Sequence, residues 1–317
     1  MTKAPGTVAA ATPAGAAPRR PRRGAGTSPR DLMQALPWIA PALVLISGVV
    51  LFPAGVMFYN STRDISQSGV DRGAAGFDNY RALLDFGPIW GVLGRTVIWV
   101  VAVVALTVLI SLALAQLLNK AFPGRQLVRM AVIVPWAASV VMTTLVVYYG
   151  LDPFYGIINE ALVQLGVIDA PYGWTKNAAS AFTWSIGIAV FVSLPFTTYT
   201  ILAGLQTLPA DVFEAAKVDD AGRSRTYISI VLPQLRSALA VAILINIINV
   251  FNSLPILKVM TGSIPGYDAD TVMTLIFKYI QTEHRIDVAS ALSVVGFLIV
   301  LVIVAVYVKV VKPMKEL

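Results

Sequence analysis

Residues 214–233 read EAAKVDDAGRSRTYISIVLP, and what this stretch is decides the fold. It places Glu214, Lys217, Asp219, Asp220, Arg223 and Arg225 between two long apolar runs. A segment that polar does not sit in hydrocarbon, so it lies at an aqueous face of a membrane. Two short helical patterns flank the turn Asp219-Asp220-Ala221-Gly222. The first opens with Pro209, suited to the first helical position, and carries Asp211 and Glu214 near the positive end of the helix dipole. The second runs from about Arg223 to Leu232 and stops before Pro233. Phe213 and Ala216 share one side of the first pattern; Tyr227, Ile230 and Val231 share one side of the second. Physics alone accounts for this equally well as an ordinary cytoplasmic loop with amphipathic helices.

Working outward, six stretches have the roughly 20 apolar residues that a helix needs to cross a bilayer core. They are about 36–59, 89–118, 128–150, 179–206, 237–260 and 288–311. The expected fold is therefore an all-α integral membrane protein with six transmembrane helices and the polar loop between helices 4 and 5. Pro53, Pro135, Pro195 and Pro255 fall inside these runs, which membrane helices tolerate where neighbours or water satisfy the freed carbonyls. Lys and Arg fix the orientation. With the N-terminus inside, residues 1–34, 119–129, 208–236 and 309–317 hold 16 of them, and the outer segments 60–88, 151–177 and 261–286 hold 6. That asymmetry places both termini and the polar loop in the cytoplasm. Residues 1–30, rich in Ala, Pro, Gly and Arg, read as a disordered basic tail. A twin-arginine or cleavable signal fits Arg19, Arg20, Arg22 and Arg23 less well, because the apolar run that follows is of full spanning length. Residues 31–317 form one membrane domain, with the polar loop at about 208–234.

Composition excludes several function classes. The chain is 57% hydrophobic and only 13% charged, against about 25% charged in a soluble domain. It has no cysteine and a single histidine, His284, so neither disulfides nor thiolate or histidine-rich metal sites are expected. The net charge of +7 follows the positive-inside pattern and calls for no nucleic acid. There is no phosphate-cradling Gly-x-x-x-x-Gly-Lys loop, no Gly-x-Ser-x-Gly elbow and no His-Glu-x-x-His pair. Asp219-Asp220 reads as a helix terminator. Arg95, Lys258 and Asp287 lie near span ends, where side chains reach the interface. A proton- or sodium-coupled carrier, which needs deep membrane charge, is disfavoured. A scaffold or assembly factor is the remaining non-transport alternative.

The spans do carry neutral hydrogen-bonding groups. Asn246, Asn249, Asn252 and Ser253 stand on the fifth; Ser193, Thr197, Thr198 and Thr200 surround Pro195 on the fourth. Amides and hydroxyls supply the donors and acceptors that sugar hydroxyls require. The same groups also hydrogen-bond helices to each other, for about 0.6 to 2 kcal/mol. Both roles stay open for each residue.

The 214–233 stretch resembles the EAA loop of membrane subunits in binding-protein-dependent ABC importers: Glu-Ala-Ala, three residues, Gly, nine residues, Ile, one residue, Leu-Pro. Glu214, Ala215, Ala216, Ile230, Leu232 and Pro233 match at that spacing, and Asp219 matches a common family Asp. Asp220 holds the motif's glycine position, with Gly222 the nearest glycine; glycine is the usual supplier of positive φ. Two further segments resemble sugar-type permeases of this family: Phe77–Leu84 (FDNYRALL) and Phe251–Pro265 (FNSLPILKVMTGSIP). Ser193 and Asn246 match sugar-contacting positions of the maltose-type subunit. Ala189 and Val250 match two more without a polar side chain, which shifts part of the expected contact to a partner permease.

The resemblance implies a transport subunit, not an enzyme, in the inner membrane. It implies a coupling helix that docks on an ATPase, with Glu214, Ala215, Ala216, Asp219, Asp220, Gly222, Leu232 and Pro233 as coupling residues. The substrate path would take Ser193, Thr197, Asn246, Asn249, Asn252 and Ser253. The expected partners are a second permease, two ATPase subunits that bind ATP and magnesium, an external solute-binding protein, membrane lipid and a carbohydrate. This chain itself is expected to hold no cofactor or metal. Glycerol 3-phosphate or another polar solute is the alternative cargo.

Overall fold

The computed structural model describes residues 29–311 except 219 and 221. The chain divides into two compact units, residues 1–54 and 55–317. The basic tail to residue 28 lies outside the described residues. Helix α1 (Pro29–Leu45), a π-helical turn (Ile46–Leu51) and α2 (Phe52–Asn60) follow one another directly.

The 60–88 segment of the expected all-α fold contains a hairpin, so the chain is not wholly helical. Strands β1 (Arg63–Ile65) and β2 (Asp71–Ala74) pair antiparallel, with a bulge between Asp64 and Ile65. Arg63 clasps Asp71 at 2.9 Å and, by that hydrogen bond, holds its carboxyl below the ordinary range. Helix α3 (Asp78–Asp85) comes from the Phe-x-Asn-Tyr segment, and that segment's polar residues pin the hairpin. Asn79 Nδ2 donates to the carbonyls of Ser61 and Arg63, and Tyr80 donates to Ser61 Oγ.

The bundle is built from α4 (Ile89–Asn119), α5 (Arg125–Ala137), α6 (Val140–Gly150), α8 (Ala178–Gln206), α12 (Arg236–Phe251), α13 (Leu254–Thr261), α14 (Val272–Gln281) and α15 (Ile286–Val311). Short α7 (Ile157–Gln164) stands between α6 and α8. The polar loop holds α9 (Ala210–Val218), α10 (Arg223–Thr226), a π-helical turn (Tyr227–Val231) and α11 (Leu232–Gln234). Among the described residues four helices are long and apolar enough to cross a membrane, and up to six spans result if each of two bent pairs counts as one.

The breaks correct two of the six sequence-derived stretches. The third is cut at Ala138–Ser139, both extended (ψ 144° and 134°), so α5 and α6 meet at 96°. The fifth is cut at Asn252–Ser253. Pro255 has no N–H for the Phe251 carbonyl and disfavours helical backbone in the residue before it. Leu254 N–H therefore turns to Asn252 O, at 2.8 Å. The Val250 carbonyl, which accepts from Ser253 N–H at 3.1 Å, also accepts from the Trp99 indole at 2.8 Å, a buried bond that ties α4 to the break. Removing it by Trp99→Phe is expected to cost about 1 kcal/mol, read as a lowered unfolding midpoint of the purified protein. Pro195, by contrast, leaves α8 a single 29-residue helix.

The main core gathers Trp99, Val103, Leu257, Met260, Val272, Leu275 and Leu292 where α4, α13, α14 and α15 meet. A second core packs Ala115, Leu118, Ile201, Leu202 and Leu205 against Val231 and Leu235. At that end α8 and α12 approach so closely that a Cβ on Gly204 would lie 2.6 Å from Ala238 Cβ.

Candidate coupling loop and solute cavity

The loop has two limbs, of which the second is anchored in a core. In the anchored limb Pro233 cannot donate to the preceding turn, and Leu232 N–H reaches back five residues to Tyr227 O. This irregular turn points Val231 and then Leu235 into the second core, where both are buried. The expected second helix, Arg223 to Leu232, is therefore a helical turn followed by a π-helical one. The first limb is α9. Glu214 is exposed on it, Ala216 is buried, and Val218 at its end is 86% exposed. Asp219 and the side chain of Ala215 lie outside the described residues.

Asp220 adopts φ +50°. The position where the EAA pattern has glycine thus keeps the left-handed backbone that glycine would supply, and aspartate is among the few other residues that enter it readily. Gly222 is exposed, and its carbonyl accepts from Thr226 N–H at 2.9 Å. Leu232 is half-buried and Pro233 exposed.

Of the six residues expected on the substrate path, four converge. Ser193 of α8, Asn246 and Asn249 of α12, and Ser253 at the break line one cavity of about 240 Å³, together with Trp136, Phe196, Ala189 and Val250. Thr197 and Asn252 are not among its lining residues. Thr197 is fully buried, donates to Ser193 O at 2.9 Å and accepts from Asn246 Nδ2 at 2.8 Å. Asn252 turns its amide onto its own helix, at Ile248 O. Asn246 also donates to Ala242 O, which leaves its Oδ1 as the group able to accept from a solute. It therefore serves both as helix clasp and as cavity wall. Asn249 is exposed, with no hydrogen bond to any described residue. No charged residue lines this cavity.

Sequence reasoning missed the aromatic floor, Trp136 and Phe196. Trp136, on α5, is 65% exposed, a residue whose role only the neighbouring helix reveals. Arg95, read from the sequence as a span-end side chain reaching the interface, instead donates through its guanidinium to the carbonyls of Tyr267 and Asp270, binding α4 to the loop before α14.

Apolar helices that bend around an uncharged, hydrogen-bonding cavity, with a polar loop packed beneath them, define a membrane transport component rather than an enzyme. The profile of the family described as "Binding-protein-dependent transport system inner membrane component" matches residues 107–312. The chain belongs to that family. It is 34% identical over 272 residues to a probable ABC transporter permease protein of Brucella suis biovar 1, covering 86% of this chain and 94% of that one. It is 30% identical to the trehalose/maltose transport system permease protein MalF of Thermococcus litoralis, covering 86% and 91%. Its fold matches a chain of a bacterial ABC transporter involved in the import of the acidic polysaccharide alginate, with TM-score 0.75 at 19% identity, covering 90% and 99%.

Proposed function

We propose that the chain is the permease subunit of an ATP-driven importer for a carbohydrate, in the class of di- or oligosaccharides. The observation that carries this reading is the cavity wall: Ser193, Asn246, Asn249 and Ser253 offer hydroxyl and amide groups, without charge, around an aromatic floor. Sugar hydroxyls need such paired donors and acceptors, and aromatic faces suit the apolar faces of a sugar ring. The trehalose/maltose relative supports the solute class.

In this reading α5 and α6 together make one span and α12 another, giving six, and both termini and the 208–234 loop face the cytoplasm. A second permease completes the route. Two ATPase subunits, which hold ATP and magnesium, dock on α9 around Glu214, Ala215, Ala216 and Asp219–Gly222. Their closure is passed through Leu232 and Pro233 to the core held by Val231 and Leu235, and so to α8 and α12. An external binding protein delivers the solute.

The test is uptake of labelled trehalose and maltose by the complete complex in proteoliposomes. Uptake is expected to require internal ATP and the binding protein and to persist when ion gradients are collapsed. Asn249→Ala is expected to lower it about tenfold, the value of one to two hydrogen bonds, without loss of assembly. Uptake that follows an ion gradient in the absence of ATP would refute the reading.

A further inference from the structure

Beyond the break at Asn252–Ser253 lies a second cavity, of about 370 Å³, between α13, α14 and the end of α6. It shares no lining residue with the solute cavity. Its volume falls in the range of small-molecule sites. Unlike the solute cavity, it carries charge. Lys258, Lys278 and Asp270 line it, so one positive charge is left over. Asp270 is 3% exposed and accepts from Lys278 Nζ on Oδ2 at 2.6 Å, while Lys278 also donates to Gly266 O at 2.7 Å. Those two charges satisfy each other. Lys258 is exposed, and among the described residues no carboxylate pairs with it. Its Nζ lies over the Phe277 ring, 3.9 Å from the ring centre. That contact steadies an ammonium without using its three donors.

Four more polar atoms of the same wall are unused. The hydroxyls of Tyr148, Ser263 and Thr282 make no hydrogen bond to a described residue, and Asp270 Oδ1 makes none while staying open to solvent. Singly, exposed hydroxyls call only for water. Gathered in one concavity with a buried carboxylate, they define a ligand. An ammonium with free donors selects an anion. A carboxylate oxygen in the same wall repels a bare anion and accepts from a hydroxyl. A molecule that satisfies both carries an acidic group on a polyhydroxylated frame. We infer that this pocket is a subsite for an acidic sugar: Lys258 receives the sugar's carboxylate, and Asp270 Oδ1 with the hydroxyls of Tyr148, Ser263 and Thr282 receives its ring hydroxyls. Arg95, bound to the carbonyls of Tyr267 and Asp270, fixes the wall that presents Asp270. Leu254 of this pocket directly follows Ser253 of the solute cavity, so the two sites are consecutive along one rail. The inference rests on the carbohydrate reading above and adds a charged substituent to it.

The experiment titrates the purified complex of permease and ATPase subunits, in nanodiscs and without binding protein, with glucuronate, glucose or inorganic phosphate, and reads binding by saturation-transfer NMR. Glucuronate is expected to bind at least about tenfold more tightly than glucose or phosphate, the order of one charge-assisted bond. Lys258→Met is expected to bring glucuronate down to the level of glucose, and Lys258→Arg to keep the preference. Glucuronate affinity unchanged in Lys258→Met would overturn the inference. So would phosphate bound as tightly as glucuronate, which marks a free-anion site, or glucuronate binding lost in Asn249→Ala, which places the sugar in the α8–α12 cavity. A Lys258→Met complex that keeps glucuronate and loses only its external binding protein would assign the pocket to an acidic side chain of that protein instead. The uptake test above uses neutral sugars and ATP, so either reading can fail without the other.

Discussion

Charge reversal at Glu214 is expected to abolish uptake while leaving the chain folded in the membrane. Glu214 is exposed on α9. Its substitution by lysine therefore removes little of the chain's own packing, and the unfolding midpoint should stay within the range of surface changes, about 0.5 kcal/mol. The surface that accepts an exposed carboxylate must be complementary to it, and a like charge placed there costs several kcal/mol. Three kcal/mol is already more than a hundredfold in affinity. Glu214→Lys should thus lose co-purifying ATPase and ATP-driven uptake together, and Glu214→Gln should lose less of both. Measuring the two in one preparation decides the matter. A lysine variant that keeps its ATPase partner and transports normally would show that α9 is not the coupling element.

The second large effect lies in the segment between α6 and α8. Asn159 of α7 is buried at 1% exposure, and its amide joins both ends of that segment. Nδ2 donates to the carbonyls of Leu151, Asp152 and Tyr172; Oδ1 accepts from Tyr172 N–H and the Trp174 indole. Alanine would strand the Leu151 carbonyl, the Tyr172 N–H and the Trp174 indole N–H, each at about 1–3 kcal/mol when left unsatisfied, while the Asp152 and Tyr172 carbonyls keep the N–H groups of Gly156 and Trp174. Rearrangement recovers part of that, so a net loss of about 3 kcal/mol or more is expected, at the severe end for one substitution. Trp174 reports it directly. Its fluorescence should shift to the red as water enters, and trypsin should cut at Lys176 well below the global unfolding temperature. An emission spectrum and digestion pattern identical to wild type would show that the loop is held by other contacts.

The 208–236 loop was more legible in the sequence than the 151–177 segment. Charge inside a hydrophobic chain is conspicuous, and 214–233 stood out by polarity, helical spacing and motif together. The spans were legible because bilayer thickness sets a residue count. Their breaks were not, because hydropathy measures composition and is blind to direction: Ala138–Ser139 and Asn252–Ser253 are as apolar or as small as residues inside intact helices. The same blindness split the substrate-path residues. Asn246, Asn249 and Asn252 recur every three residues, but each step turns about 100°, and by Asn252 the side chain has left the wall that Asn249 shares. Thr197 was equally plausible as wall or clasp, and the structure puts it with the clasp. Asn159 carried no signal at all. One asparagine on a short outer helix looks like any other until the chain around it closes.

The two sides of the solute cavity differ in stiffness. Ser193 stands on a helix that runs unbroken from Ala178 to Gln206, whereas Asn249 and Ser253 straddle a joint between α12 and α13. A sugar gripped between them would keep its register against the rigid rail while the articulated one slips past, so release could be graded by bending at a single knuckle rather than by tearing every contact at once.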